Sequence, residues 1–377
     1  MKKDWLLLAT GIALIGISGF RTSGLDRYTA SVIPLTKTQS IQPTLNFKNW
    51  GLYNSQADSH IHVRDAWKLS EGSRDVVVAV IDTGIDANHV DLSRNLWRDP
   101  KNPTTYGWDF TNNTSNPKDD HGHGTHVSGI IGAITNPETG VSGVAKKVSI
   151  MAVKYYSESA PGSVNLINTI KALNYAIDHN AQVINYSGGG PEFSEGEYLA
   201  MKRAESKGIL VVCAAGNERQ DTDKRENFYY PAAYGLSNII SVAATDIRNK
   251  LITSSNWGKS KVDVAAPGDS IYSTLPGGKH GMMTGTSQAT AFVTGLAALM
   301  IAKNPSLTPS QIKTAIKGSV DKLPTLLGKV ASGGRVNAYA ALSQLQPKAP
   351  VVRLKPVKSL AYKSVKRKTA AEPVIIQ

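Results

Sequence analysis

The sequence predicts an α/β fold: a three-layer, doubly wound, mostly parallel sheet with helices on both faces. Three observations predict it. Short β-branched runs alternate with longer runs at helical spacing, which is the pattern of βα units. The strand runs are continuously apolar, as in strands buried on both faces. Residues capable of chemistry follow directly on the ends of those runs, where open α/β sheets place their sites. At 377 residues, the chain is long enough to bury a full core.

The chain opens with a targeting segment at residues 1–25. Lys2 and Lys3 precede an apolar stretch from Trp5 to Phe20, too short for a comfortable membrane span. The segment reads as a signal peptide or an N-terminal anchor, and either way the body is exported. Residues 26–48 form a short, polar, turn-rich leader. A single domain is then expected over 49–345.

Within that domain, Asp75 to Ile81 is a β-branched run ending at Asp82-Thr83-Gly84. A polar loop follows Trp108, with Asn112, Asn113, Asn116, Asp119 and Asp120. It leads into His121-Gly-His123-Gly-Thr-His126, with Val127, Ile130, Ile131 and Ile134 at helical spacing. Three histidines invite a zinc reading, but they lack the His-x-x-x-His spacing of a helical metal pair. A base at a helix start fits better.

Val148 to Lys154 reads as a strand, and Leu166, Ile170, Leu173 and Ile177 mark a helix. Gln182 to Tyr186 is a strand ending in Ser187-Gly188-Gly189-Gly190. Phe193 to Lys207 is a helix, and Gly208 to Ala214 a strand ending in Ala215-Gly216-Asn217. Asn238 to Ala244 and Val262 to Ala265 are further strands. Gly285-Thr286-Ser287 opens a run that is apolar nearly all round until Asn304-Pro305, so it belongs in the core. Ser287 falls at its first turn, where unpaired N–H groups and the helix dipole favour negative charge. Thr308-Pro309-Ser310-Gln311 starts a capped helix, and Val336 to Leu345 is the last.

The single cysteine, Cys213, lies in a buried-strand run and reads as a small core residue; an internal disulfide is impossible. Net charge is +13, but it is uneven. In residues 346–377, eight basic residues face Glu372 alone, leaving seven of those charges in a Pro-broken tail. The tail reads as disordered and solvated. Its alternation of apolar and basic residues also suits contact with an anionic surface.

Asp82-Thr-Gly, His123-Gly-Thr-His and Gly285-Thr-Ser287 occur in that order, each at a strand or helix end. With Ser187-Gly-Gly and Ala215-Gly-Asn217 between them, they resemble the subtilisin-like serine peptidases, the subtilase family, from about Ile61 to Leu345. The resemblance implies an exported serine endopeptidase acting on protein or peptide substrates, with a monomer expected. His123 would be the base, Asp82 would hold its tautomer, and Ser287 would be the nucleophile. Asn217 would donate to the oxyanion, a contribution of ~3 kcal/mol known from subtilisin itself. Ser187, Gly188 and Gly189 would pair with substrate backbone. No catalytic metal is implied.

The resemblance also implies structural calcium, since Asp91 matches a calcium-ligand position. The Trp108 to Asp120 loop is rich in oxygen ligands suited to that ion, although solvated loop polarity explains it equally. Three departures stand out. Gln288 follows the serine, Ala291 stands where the family has Pro, and the leader is too short for the family's long propeptide. Finally, Tyr229 stands where the family often has Gly at the floor of the S1 pocket, so small P1 residues are expected.

Overall fold

The computed structural model describes residues 47–345. The targeting segment, most of the short leader and the basic tail lie outside the described residues. In chain order the elements are α1 (Val63–Ala66), β1 (Gly72–Asp82), β2 (Gly107–Asp109), α2 (His123–Gly132), β3 (Lys147–Lys154), α3 (Gly162–Asp178), β4 (Val183–Tyr186), α4 (Glu195–Ser206) and β5 (Leu210–Ala214). They continue with β6 (Ile239–Thr245), β7 (Val264–Pro267), β8 (Ile271–Leu275), β9 (Lys279–Met283), α5 (Thr286–Lys303), α6 (Pro309–Gly318), β10 (Asp321–Lys322), β11 (Gly334–Arg335) and α7 (Ala338–Ser343).

Nine strands form one sheet in the order β10-β11-β7-β6-β5-β4-β1-β3-β2. Only the β10–β11 pair is antiparallel within it. The continuous apolar runs are explained by burial on both faces. Val78 and Val80 of β1 join one core with α2, α5, α6 and α7. Ala79 and Ile81 join the opposite core with α3 and α4. Side chains alternate across a strand, so both parities must be apolar.

β1 is flanked by β3 on one side and β4 on the other, with Ile81 level with Tyr186. The chain runs outward from β1 in both directions, so the carboxyl ends of β1 and β4 border a topological switch point, where a crevice opens. Helix α5 is buried from Thr286 through Ile301 and packs across β1, β4, β5, β6 and β7.

Several boundaries differ from the sequence reading. Helix α2 ends at Gly132, because Ala133 turns extended, so Ile134 lies beyond it. Helix α7 begins at Ala338, capped by the Asn337 side chain. The β8–β9 hairpin was not anticipated; its turn is Pro276-Gly277-Gly278, and it forms a separate two-stranded sheet. Thr308 and Gln311 form the expected capping box at α6. Cys213 is buried and free. Among the described residues, no helix is long and apolar enough to cross a membrane.

Candidate active site

Asp82 closes β1 and His123 opens α2. The imidazole Nδ1 stands 2.7 Å from Asp82 Oδ1, which also accepts from the Thr83 N–H. Burial alone would push the His123 pKa down; the Asp82 charge and hydrogen bond more than offset it, and the net shift is upward. The other two histidines of the motif differ. His126 is buried, its Nε2 stands 2.9 Å from the Ile271 carbonyl oxygen, and burial lowers its pKa to about 4. His121 is exposed.

The turn into α2 is organised by Asp119, which the sequence offered as a calcium ligand or as loop polarity. Its Oδ1 accepts from the Thr83 hydroxyl and from the His121 and Gly122 N–H groups. Its Oδ2 accepts from the Thr125 N–H and hydroxyl. Burial opposes its ionisation, but these bonds win and hold its pKa below the usual aspartate value. Thr83 in turn accepts from the Gly124 N–H. A Cβ on Gly124 would stand 2.2 Å from the Gly84 carbonyl oxygen, so this approach of helix to strand needs glycine. Lys154, buried at the end of β3, pairs with Asp120 and donates to the Lys118 carbonyl oxygen. Thus Asp82 and His123 are set by a buried lattice of residues flanking both motifs.

Ser287 lies in the first turn of α5 and is 7% exposed. Its hydroxyl donates to the Ser187 carbonyl oxygen at 3.1 Å rather than to His123. Ser187 also lines a cleft of about 230 Å³ with Asp82, Thr83, His121 and His123. Asn217, after β5, accepts the Thr286 N–H at 3.0 Å through Oδ1. A backbone N–H can only donate, so this bond fixes the amide's orientation and keeps Nδ2 as its donor end.

Gly190 and Tyr230 exchange backbone hydrogen bonds, tying the segment after β4 to the Tyr229 loop. The Tyr229 ring lies against two glycines. A Cβ on Gly189 would stand 2.5 Å from Tyr229 Cε1, and one on Gly216 would stand 2.9 Å from Cδ2. The ring therefore occupies the space between the Ser187-Gly-Gly and Ala215-Gly-Asn segments, and burial raises its phenol pKa. A neighbouring groove of about 440 Å³ includes Tyr155, Leu166, Gly189, Tyr230 and the buried Glu197 in its lining.

Asp91 stands apart from this cleft. Its Oδ1 accepts from Asn136 Nδ2 at 2.9 Å, and its Oδ2 lies 2.7 Å from His280 Nε2. Two imidazoles, His89 and His280, share its surroundings. That is not the all-oxygen cage of a calcium site, so the residues at Asp91 do not fit the expected ion. The loop carboxylates are also engaged: Asp109 by Thr111 and Asn112, Asp119 and Asp120 as above.

Comparisons with known proteins agree with this architecture. The model of the subtilase family matches residues 73–340. Thermitase of Thermoactinomyces vulgaris is 40% identical over 282 residues, covering 75% of this chain and 93% of thermitase. Subtilisin E of Bacillus subtilis is 40% identical over 269 residues, covering 71% of this chain and 65% of its own length. A solved protease structure from Pseudoalteromonas arctica matches with a TM-score of 0.65 at 27% identity, over 79% of this chain and 98% of that one. The fold and these relatives define a serine endopeptidase, a hydrolase of peptide bonds. The chain belongs to the subtilase family.

Proposed function

We propose that Asp82, His123 and Ser287 form the catalytic triad of this peptidase, with Asn217 as oxyanion donor, and that the enzyme acts outside the cytoplasm. The observation that carries the reading is the 2.7 Å contact between His123 Nδ1 and Asp82 Oδ1. It leaves Nε2 as the basic nitrogen. That nitrogen takes the Ser287 proton as the hydroxyl attacks the scissile carbonyl, and later returns it to the leaving amine. The hydroxyl must turn from the Ser187 carbonyl oxygen to reach His123, an adjustment expected when substrate binds, since catalytic hydrogen bonds tighten in the complex. The negative oxygen of the tetrahedral intermediate is met by Asn217 Nδ2 and the Ser287 N–H at the start of α5.

The Ser187–Gly189 segment pairs with extended substrate, and Tyr229 narrows the S1 space so that Ala or Ser at P1 is cut faster than Phe or Leu. No step uses a metal. Export rests on the N-terminal segment, and the basic tail is proposed to contact anionic surfaces. A covalent serine probe tests the central claim: the wild-type chain should be labelled on Ser287, and Ser287→Ala should not. Labelling elsewhere, or equal labelling of both proteins, would reject the assignment.

A further inference from the structure

A carboxylate is buried in the wall of the groove beside the Ser187–Gly189 segment. Glu197 lies in the first turn of α4 and is 4% exposed. The groove has a volume of about 440 Å³, and its lining includes Tyr155, Leu166, Gly189, Tyr230 and Glu197, with Glu192 at the exposed rim. An acid in a first turn complements the helix dipole, but it does so equally well from solvent, as the exposed Glu195 does. The burial of Glu197 therefore needs a reason of its own.

The partners of Glu197 are neutral. The Tyr234 hydroxyl stands 2.7 Å from its Oε2, and burial raises its pKa against the pull of the Tyr234 and Tyr186 hydroxyls. No cation pairs with it among the described residues. An ionised carboxylate offers about four acceptor positions, so two phenols leave room for a further donor. A buried charge without a counter-ion is costly, and a cation arriving from outside offsets that cost. The rest of the lining suits the carrier of such a cation. Tyr155, Leu166 and Tyr230 give apolar and aromatic surface along which an aliphatic stem packs, and phenol faces attract a cation in addition. Lysine and arginine have that form, an apolar stem ending in a charged head.

We propose that Glu197 selects substrates carrying a lysine or arginine a few residues before the cut, with the stem along the groove and the head paired with the Glu197 carboxylate. The inference rests on the pairing of substrate with Ser187–Gly189 and deepens that reading. The groove shares Gly189 with that segment, and its Tyr230 follows Tyr229 in the chain, so it lies on the acyl side of the scissile bond. An extended chain advances ~3.3 Å per residue, so the residues preceding the one in the Tyr229 space run alongside the groove. Glu192 at the rim adds a second negative charge at the entrance.

The test uses peptides with Ala at P1 and Arg, Lys, norleucine or Glu placed in turn at P2, P3 and P4. Norleucine keeps the stem and lacks the charge. At one of these positions Arg or Lys should raise kcat/KM over norleucine by ~10–100-fold, the range of a hydrogen bond to a charged group, and Glu should be worst. Glu197→Gln keeps the side chain's shape and should remove most of that ratio. Glu197→Leu should remove it as well, and labelling by a covalent serine probe shows that either variant is folded. Binding of the Arg and norleucine peptides to full-length Ser287→Ala reads the same preference without turnover, which separates a failure of the triad assignment from a failure of this one. A wild type that cuts the norleucine peptides as fast as the Arg and Lys peptides at every position overturns the proposal. So does a basic preference that survives Glu197→Gln, since its origin then lies in Glu192 or elsewhere on the surface.

Discussion

Asn217 receives the backbone N–H of Thr286 on its Oδ1 at 3.0 Å, so the residue before Ser287 orients the amide proposed as the oxyanion donor. Asn217→Ala removes the donor without touching His123 or Ser287. It should lower kcat by ~10²–10³ with little change in KM, a loss of the size known for this donor in subtilisin. Asn217→Asp, which puts a second oxygen where Nδ2 stands, should be at least as damaging. A normal kcat in either variant would remove Asn217 from the oxyanion site.

Ser287→Ala and His123→Ala should each cost most of the turnover, about 10⁶-fold by the precedent of subtilisin, and the double variant should be little worse. The residues act as one unit, so their losses do not add. Burst and steady-state assays on the three proteins check this; multiplicative losses would contradict the triad.

With His123 as the proposed base, its raised pKa should set the acid side of the pH profile. The base works only when unprotonated, so kcat/KM should fall as pH drops through a value above the ordinary histidine pKa of about 6.5. In Asp82→Asn the charge that raises the pKa is gone while burial, which lowers it, remains. The imidazole should then titrate at lower pH. Histidine NMR titration in a Ser287→Ala background reads this independently of rate.

Asp119 makes a stability prediction. Its pKa is depressed in the folded chain, so the stability it provides is present above the unfolded aspartate value and is lost as pH falls through the lower folded value. Asp119→Asn cannot accept on both sides and should destabilise by ~1–3 kcal/mol at neutral pH. The gap between the two proteins should shrink in acid melts. A pH-independent difference would contradict this role.

Tyr229→Gly should open the space between Gly189 and Gly216 and shift preference toward Phe and Leu at P1, by ~10–100-fold in relative kcat/KM. A P1-varied peptide series reads the outcome. A wild-type enzyme already favouring Phe, unchanged by the substitution, would rule out Tyr229 as a specificity residue.

The parallel sheet was legible because burial on both faces forces unbroken apolar strands, as in Val76 to Ile81, and the site motifs were legible because each abuts such an element. The β8–β9 hairpin was not, since its strands carry Ser273, Lys279 and His280 and lack a clear apolar period. Asp119 was hidden for a different reason. Its role depends on Thr83, 36 residues away in the chain, and such partners carry no local signal. The pairing of Asp91 with His280 was hidden in the same way, since the two lie 189 residues apart.

Helix α5 carries Ser287 and packs against five strands contributed by residues 72–267. Those strands are synthesised first, and their shared face stays uncovered until residues 286–303 arrive. Ser287 therefore reaches its position only when the last large piece of the core is seated. A partly made chain has the other proposed site residues but no placed Ser287 hydroxyl. The capacity to cut protein is thus a consequence of completed assembly.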